Sequence, residues 1–139
     1  MKNFRWPVRV YYEDTDAGGV VYHANYLKFY ERARTEKLRS LGFELDEIRH
    51  DRGLVFVIRS MHVEYLRPAV FNDQLRVSAD LVEMKRARLE FSQEITRVPT
   101  SGEPELLSRA VVRIVCVDIE TFTPRMIPDD FRKRLNEND

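Results

Sequence analysis

The chain of 139 residues contains a single cysteine, Cys116, so no internal disulfide can form. Residues 1–7 include no apolar run of export length, and no stretch approaches the roughly 18 apolar residues that span a bilayer. These absences favour a reducing cytoplasm, with any attachment to the inner membrane being peripheral. Lys plus Arg and Asp plus Glu both number 23, and this zero net charge argues against a dedicated nucleic-acid binder.

The sequence also lacks internal repeats, low-complexity tracts and a linker that would divide it. A length of 139 residues is close to the commonest domain size, which predicts one domain over residues 1–139. A compact domain of this size removes about two-thirds of its unfolded surface from water, so neither a disulfide nor a metal is needed for folding.

Hydrophobic periodicity gives a coarse order of elements. Apolar residues alternate over residues 4–12, which predicts a half-buried strand. The period becomes helical at Asn25, a candidate N-cap, and Leu27, Tyr30, Arg34, Leu38 and Leu41 share one helix face, which ends at Gly42. Short helices are predicted at residues 44–50 and 128–136, and strands at residues 54–66, 74–84, 88–97 and 107–118.

This order, one strand, one long helix and then four strands, predicts an α+β domain. Short turns between the later strands make them antiparallel neighbours. The early helix must then be wrapped by a curved antiparallel sheet of five strands. This is the hot-dog arrangement.

The chemistry of the chain is concentrated at residues 13–19, where the sequence reads EDTDAGG. Asp14 and Asp16 lie in a glycine-bearing turn between the first strand and the long helix. Gly18 and Gly19 allow the main chain to approach a ligand, and the helix N-terminus can stabilise an oxyanion. A carboxylate there can act as a nucleophile or a general base. The same turn is also consistent with a loop in which Asp side chains only cap backbone donors.

Two other motifs begin in a similar way. A strand followed by Asp-x-Asp opens the haloacid-dehalogenase-type phosphatases, but that fold needs parallel crossovers and a longer chain. Asp14-x-Asp16-x-Gly18 also resembles an EF-hand loop, in which Asn25 would replace the bidentate Glu at the twelfth position and a strand would replace the entering helix. Neither reading fits the rest of the chain.

Residues 13–26, EDTDAGGVVYHANY, resemble the N-terminal motif of the 4-hydroxybenzoyl-CoA thioesterase family. Residues 4–36 are similar to the tol-pal system-associated acyl-CoA thioesterases of Gram-negative bacteria. The resemblance implies hydrolysis of acyl-CoA to a free acid and CoA, without a metal or redox cofactor. It places the catalytic carboxylate at Asp16, which attacks the thioester or activates water, and the carbonyl-polarising N–H at His23, whose side chain is a second candidate group. Asp14 is expected to be structural.

The resemblance also implies residues that bind the substrate. Gly19 and Asn25 are predicted to shape the site near the helix start. Lys85, Arg86 and Arg88 form a basic cluster at a strand turn, where related thioesterases bind the nucleotide, and Arg and Lys are common phosphate partners.

Sites in this family form between subunits, which implies a homodimer or homotetramer. The alternative interpretation is a scaffold that binds acyl carrier protein and links lipid synthesis to the Tol-Pal envelope system with little turnover. The sequence leaves the acyl group open.

Overall fold

The computed structural model describes residues 3–138, so Met1, Lys2 and Asp139 lie outside the described residues. A six-stranded antiparallel sheet packs against one long helix. The strands are β1 (Arg5–Arg9), β2 (Leu54–Tyr65), β3 (Gln74–Ser78), β4 (Asp80–Met84), β5 (Arg88–Arg97) and β6 (Glu105–Asp118). The helices are α1 (Asn25–Ser40), α2 (Leu45–Arg52) and α3 (Asp129–Asn138).

The sheet confirms the predicted α+β class. Its order is β1-β3-β5-β6-β2, with β4 also paired to β5, and all pairs are antiparallel. The prediction of one strand over residues 74–84 is wrong in one respect. The strand is interrupted at Ala79, which separates β3 from β4. The Ala79 carbonyl accepts a hydrogen bond from Lys37 Nζ at 2.5 Å. A predicted sheet of five strands therefore has six.

The first strand is shorter than its alternating pattern predicts. It ends at Arg9, and a 3-10 turn follows at Tyr12–Asp14. Tyr12, placed on the inner face by the pattern, is 74% exposed. The reason is local, because the Tyr11 N–H donates to Asp14 Oδ2 at 2.8 Å and turns the chain away from the sheet.

Helix α1 begins and ends close to the predicted positions. It ends before Gly42, whose φ of +94° suits glycine. The assignment of Leu27 to the buried face is wrong, since Leu27 is 40% exposed, whereas Lys37 is fully buried. Asn25 is the first helical residue rather than the N-cap, which is Ala24, and no side chain caps the helix. The buried face consists of Tyr26, Phe29, Tyr30, Ala33, Arg34, Lys37 and Leu38.

Strand β2 lies at one end of the sheet order and pairs with β6 alone among the described strands. It is twelve residues long, and Ile58 and Tyr65 are 49% and 46% exposed. Within residues 3–138, no helix is both long enough and apolar enough to cross a membrane.

Candidate active site

Asp14 holds the turn that precedes the site. Its carboxylate accepts the Tyr11 N–H, and its carbonyl accepts both the Tyr22 N–H and the Asn25 side-chain amide, each at 2.9 Å. One short segment thus ties the end of β1 to the start of α1. The carboxylate of Asp14 is engaged in the turn, as its predicted structural role requires.

Asp16 is presented by the glycine turn. Its Oδ1 accepts the Gly18 N–H at 2.8 Å, and its carbonyl accepts the Gly19 N–H at 3.0 Å. Gly19 has a φ of +83°, which L side chains rarely adopt, so glycine permits this turn. Asp16 Oδ2 has no hydrogen-bond or ion-pair partner among residues 3–138, and the side chain is exposed. Asp16 Oδ1 is therefore held by a hydrogen bond, whereas Oδ2 is available to a ligand.

Asp16 opens onto a cavity of about 380 Å³ between the turn, the start of α1 and the segment that follows β2. Its lining includes Asp16, His23, Tyr26, Tyr65, Arg67 and Pro68. Asp16 and His23, the two predicted catalytic residues, are thus brought to the same cavity.

His23 lies two residues before α1, where backbone donors have no partner within the helix. Its carbonyl accepts the Tyr65 hydroxyl at 3.0 Å, whereas its N–H has no acceptor in the described part of the chain. Its ring is exposed and lies at right angles to the Tyr65 ring, with centroids 6.3 Å apart. A fixed peptide with an available N–H therefore lies on the same cavity as the Asp16 carboxylate.

The tyrosines of the cavity remain protonated at neutral pH. Burial raises the pKa of Tyr26, although the hydrogen bond from the Ala69 N–H, at 3.0 Å to the phenol oxygen, acts in the opposite direction. Burial also raises the pKa of Tyr65. The two rings contact edge to face with centroids 5.0 Å apart. They form an uncharged wall beside the Asp16 carboxylate.

Arg97 anchors the loop that supplies the rest of the cavity. Its guanidinium donates to Asp73 Oδ2 at 2.9 Å and to the Pro68 carbonyl at 2.6 Å, and it also pairs with Glu105. The Val21 N–H donates to the Ala69 carbonyl at 2.9 Å, which joins this loop to the Asp16 turn. Sequence reasoning missed this contribution.

Among the cavity residues that sequence reasoning did not find are Tyr65, Arg67 and Pro68. They lie some 50 residues from Asp16 in the chain, and the pattern around Pro68 signals only a turn. Gly19 and Asn25, predicted to bind substrate, do not line the cavity. Gly19 shapes the turn, and Asn25 holds the Asp14 carbonyl.

The basic cluster lies elsewhere in the protomer. Arg88 is opposite Val115 of β6, and Val115 is opposite Val57 of β2, whereas Tyr65 marks the other end of β2. Val57 and Tyr65 are eight residues apart along β2, which corresponds to about 25 Å. Lys85, Arg86 and Arg88 are therefore not brought to the Asp16 cavity within one chain.

No group of three His, Cys, Asp or Glu side chains in residues 3–138 is arranged to hold a metal ion. Cys116 is fully buried, and burial raises the pKa of its thiol. It is a small core residue and does not line the Asp16 cavity.

A helix packed against an antiparallel sheet, with a carboxylate and an available N–H near the helix start, provides groups that acyl-transfer hydrolysis uses. The thioesterase-like superfamily model matches residues 10–135, and the chain belongs to this superfamily, an enzyme family. The chain is 50% identical to the acyl-CoA thioester hydrolase YbgC of Escherichia coli O6:H1 over 125 residues, 90% of each chain. It is 43% identical to the acyl-CoA thioesterase YbgC of Haemophilus influenzae over 129 residues, 93% of this chain and 91% of that one.

The fold is likewise that of solved thioesterases. A 1,4-dihydroxy-2-naphthoyl-CoA thioesterase from Synechocystis superposes with a TM-score of 0.87 at 23% identity, covering 96% of both chains. At this identity the likeness shows the fold alone. The predicted hot-dog fold is confirmed.

Proposed function

We propose that this enzyme hydrolyses acyl-CoA thioesters to a free acid and CoA, with Asp16 as the catalytic carboxylate. The observation that carries the proposal is the position of Asp16, held through Oδ1 by the glycine turn with Oδ2 available at the cavity. The names of the relatives in Escherichia coli and Haemophilus influenzae support this substrate class.

The residues suit the charge changes of thioester hydrolysis. Negative charge develops on the carbonyl oxygen, and the His23 N–H at the positive end of α1 stabilises it. The Tyr65 hydroxyl holds the His23 carbonyl and so orients that peptide. Asp16 either attacks the carbonyl carbon, giving a mixed anhydride that water opens, or removes a proton from an attacking water. Both routes release CoA thiolate, which is then protonated.

The test compares Asp16→Asn with Asp14→Asn, two substitutions that remove one charge each from the same turn. An Asn at position 14 still accepts the Tyr11 N–H, so the turn is retained. We expect Asp16→Asn to lower kcat/KM for acyl-CoA by at least about 100-fold, the usual scale for a lost acid–base group. Asp14→Asn should lose much less, and equal losses in the two variants would exclude a special role for Asp16.

The proposal extends to assembly as a homodimer through β2. This strand presents twelve residues of one edge without a strand partner among residues 3–138, and such edges are normally covered or paired. An isologous pair of β2 strands would run antiparallel, with Leu54 of one protomer opposite Tyr65 of the partner subunit. A homotetramer would combine two such dimers.

The β2 pair would also explain the distance of the basic cluster from Asp16. Arg88 lies at the level of Val57, which in the dimer falls near the Tyr65 end of the partner subunit. Lys85, Arg86 and Arg88 would then bind the phosphates of a CoA whose thioester lies at the partner's Asp16.

A mixing experiment tests this shared site. Asp16→Asn protomers are combined with protomers in which Lys85, Arg86 and Arg88 are all alanine, after brief dissociation. Mixed dimers regain one complete site if the cluster acts across the interface. Activity well above that of either parent supports the shared site, and no recovery in proven mixed dimers contradicts it.

Binding of acyl carrier protein, with the link to the Tol-Pal system, is the second candidate. Arg67 is exposed at the wall of the Asp16 cavity, where it could receive an acidic carrier. Tight binding of acylated carrier protein with negligible hydrolysis of every CoA thioester tested would favour a scaffold over an enzyme acting on CoA.

A further inference from the structure

A second cavity, which we call the Arg34 cavity, lies between α1 and the sheet. Its volume is about 130 Å³. Its lining includes Glu31, Arg34 and Thr35 of α1, Phe56 and Ile58 of β2, and Phe91 of β5. Most of its lining is apolar, and the polar members are Glu31, Arg34 and Thr35, of which only Arg34 is buried.

The position of Arg34 is fixed by a buried network. Arg34 is only 7% exposed, and its Nη1 donates to Gln93 Oε1 at 2.9 Å. Gln93 is fully buried, and its Nε2 donates to the Tyr30 and Ser78 carbonyls at 3.1 and 2.9 Å. The guanidinium is thus held in place by an amide that is itself bonded to both the helix and the sheet.

The other N–H groups of Arg34 have no protein acceptor within residues 3–138. Among the fully enclosed side-chain polar atoms of those residues, only Asp80 Oδ1 lacks a hydrogen-bond partner. The remaining donors of Arg34 are therefore not enclosed, and they open onto the cavity that Arg34 lines. An arginine carries five N–H donors, so most of its capacity is available to a ligand.

Arg34 is also a buried cation without a salt-bridge partner in the described residues. Burial lowers its pKa to about 10, while nearby Glu31 acts in the opposite direction. The group is therefore charged at neutral pH. A buried charge is costly unless an opposite charge or hydrogen bonds compensate it. Glu31 also lines the cavity, but it is exposed and its carboxylate accepts the Thr35 hydroxyl at 3.1 Å. An anionic oxygen group of a ligand would therefore supply the direct partner that Arg34 lacks.

The Arg34 cavity and the Asp16 cavity share one wall, strand β2. Tyr65 lines the Asp16 cavity, while Phe56 and Ile58 line the Arg34 cavity. Arg34 lies nine residues beyond Asn25 at the start of α1, which corresponds to about 14 Å along the helix. Pairing of β2 strands would bring the Phe56 end of one protomer close to the Tyr65 end of the partner subunit. An acyl chain would approach Arg34 by one of these two routes, along α1 or across the β2 pair.

We propose that the Arg34 cavity receives the far end of the acyl group and that Arg34 binds a carboxylate there. The substrate class is then thioesters of dicarboxylic acids. This inference rests on the proposed thioesterase function and deepens it. The planar guanidinium matches a carboxylate through two parallel hydrogen bonds. A methyl end would remove water from Arg34 without replacing its hydrogen bonds, and sites built around a polar group discriminate strongly against such analogues.

The test uses CoA thioesters in pairs of equal carbon number, one ending in a methyl and one in a carboxylate. The pairs are butyryl and succinyl, hexanoyl and adipoyl, octanoyl and suberoyl, and decanoyl and sebacoyl. For each pair, kcat/KM of the carboxylate-ended thioester is divided by kcat/KM of the methyl-ended one. For wild type we expect this ratio to exceed about ten for at least one chain length, because a polar site rejects the apolar end. A ratio of one or less at every length would overturn the inference.

Variants then assign the effect to Arg34. At the chain length where wild type shows its highest carboxylate-over-methyl ratio, Arg34→Gln should lower that ratio to about the value found at the neighbouring lengths. Arg34→Lys keeps the charge but loses the planar fork, so its ratio should lie between those of wild type and Arg34→Gln. Arg32→Gln, an exposed substitution on the same helix, should retain the wild-type ratio. An unchanged ratio in folded Arg34→Gln overturns the inference. If that variant does not fold, Arg34→Lys and the wild-type series decide.

Binding of non-hydrolysable thioether analogues separates this inference from the proposed function. Calorimetry compares the hexanoyl and adipoyl analogues in wild type and Arg34→Lys. Preference for the adipoyl analogue that weakens in Arg34→Lys supports the inference even if no thioester is hydrolysed. Hydrolysis with no such preference leaves the thioesterase function intact and refutes the role of Arg34.

Discussion

The two carboxylates of the turn are two residues apart and have different surroundings. Asp14 Oδ2 accepts the Tyr11 N–H and stabilises the turn, while Asp16 retains an available oxygen at the cavity. The sequence predicted both the turn and the preference for Asp16, but that preference came from family resemblance. Spacing alone left open whether either Asp does more than cap the backbone, because the direction of a side chain depends on its hydrogen bonds.

Gly19 and Gly102 offer a matched pair at the residue scale. Both have positive φ, +83° and +94°, and a Cβ on either would meet nothing within 4 Å. Alanine at each position should therefore cost about 1–2 kcal/mol through backbone strain alone. Denaturant unfolding should show similar losses, whereas only Gly19→Ala should lower kcat/KM, because it displaces Asp16. Equal kinetic effects would contradict the role of the turn.

Tyr30 provides a second residue-scale prediction. Its hydroxyl lies 2.6 Å from Ser108 Oγ, and both residues are fully buried. Tyr30→Phe leaves the Ser108 hydroxyl without its partner, which should cost about 1–3 kcal/mol of unfolding free energy. Tyr12→Phe, at a hydroxyl that is exposed, is the control and should change stability little. No difference between the two variants in denaturant unfolding would count against the buried bond.

At the scale of elements, the helix and most strands could be predicted from periodicity. The buried position of Lys37 on α1 could not be, because Lys normally marks a solvent-facing position. Lys37 is fully buried at the Ala79 carbonyl, where β3 and β4 separate. Both errors, the missed charge and the missed break, thus arise from one tertiary contact that no local pattern contains.

Helix α3 is attached to α2 through Arg52 and Asp130, and this attachment should depend on pH. Both Asp130 oxygens accept hydrogen bonds from Arg52, at 2.8 and 2.7 Å, which lowers the pKa of Asp130 from 3.8 to about 2. The carboxylate is ionised more readily in the folded state, so its contribution is complete above pH 3.8 and is lost as the pH falls towards 2.

The measurement is the unfolding free energy of wild type and Asp130→Asn as a function of pH. Because the pair is largely exposed, the two proteins should differ by no more than about 1 kcal/mol at neutral pH. This difference in unfolding free energy should vanish as the pH falls from 3.8 towards 2. A difference that persists at the acid end would assign the effect to packing of α3 instead.

For the whole molecule, the fold class and one side of the candidate site could be predicted. The other side, Tyr65 to Pro68, comes from a segment distant in sequence, and only the closing of the sheet on α1 brings it to Asp16. The predicted basic cluster lies at the opposite end of β2 in the protomer, so its proposed role depends on assembly.

Two surface substitutions test that assembly. Ile58 on β2 and Val82 on β4 are exposed apolar residues, at 49% and 55%. Ile58→Lys would place two like charges near the twofold axis of the proposed β2 pair, and light scattering should show a shift towards monomer with loss of activity. Val82→Lys adds the same charge away from β2 and should remain dimeric. A monomeric wild type with full activity would contradict the shared site.

The most direct test separates binding from chemistry at Asp16. Calorimetry measures the affinities of wild type and Asp16→Asn for a non-hydrolysable thioether analogue of an acyl-CoA, and the single-turnover rates of the two proteins with the thioester itself are compared. The account predicts a dissociation constant close to that of the wild type for the thioether analogue and a rate at least about 100-fold lower. A rate within a few-fold of wild type, with the substrate bound, would contradict catalysis by the Asp16 carboxylate.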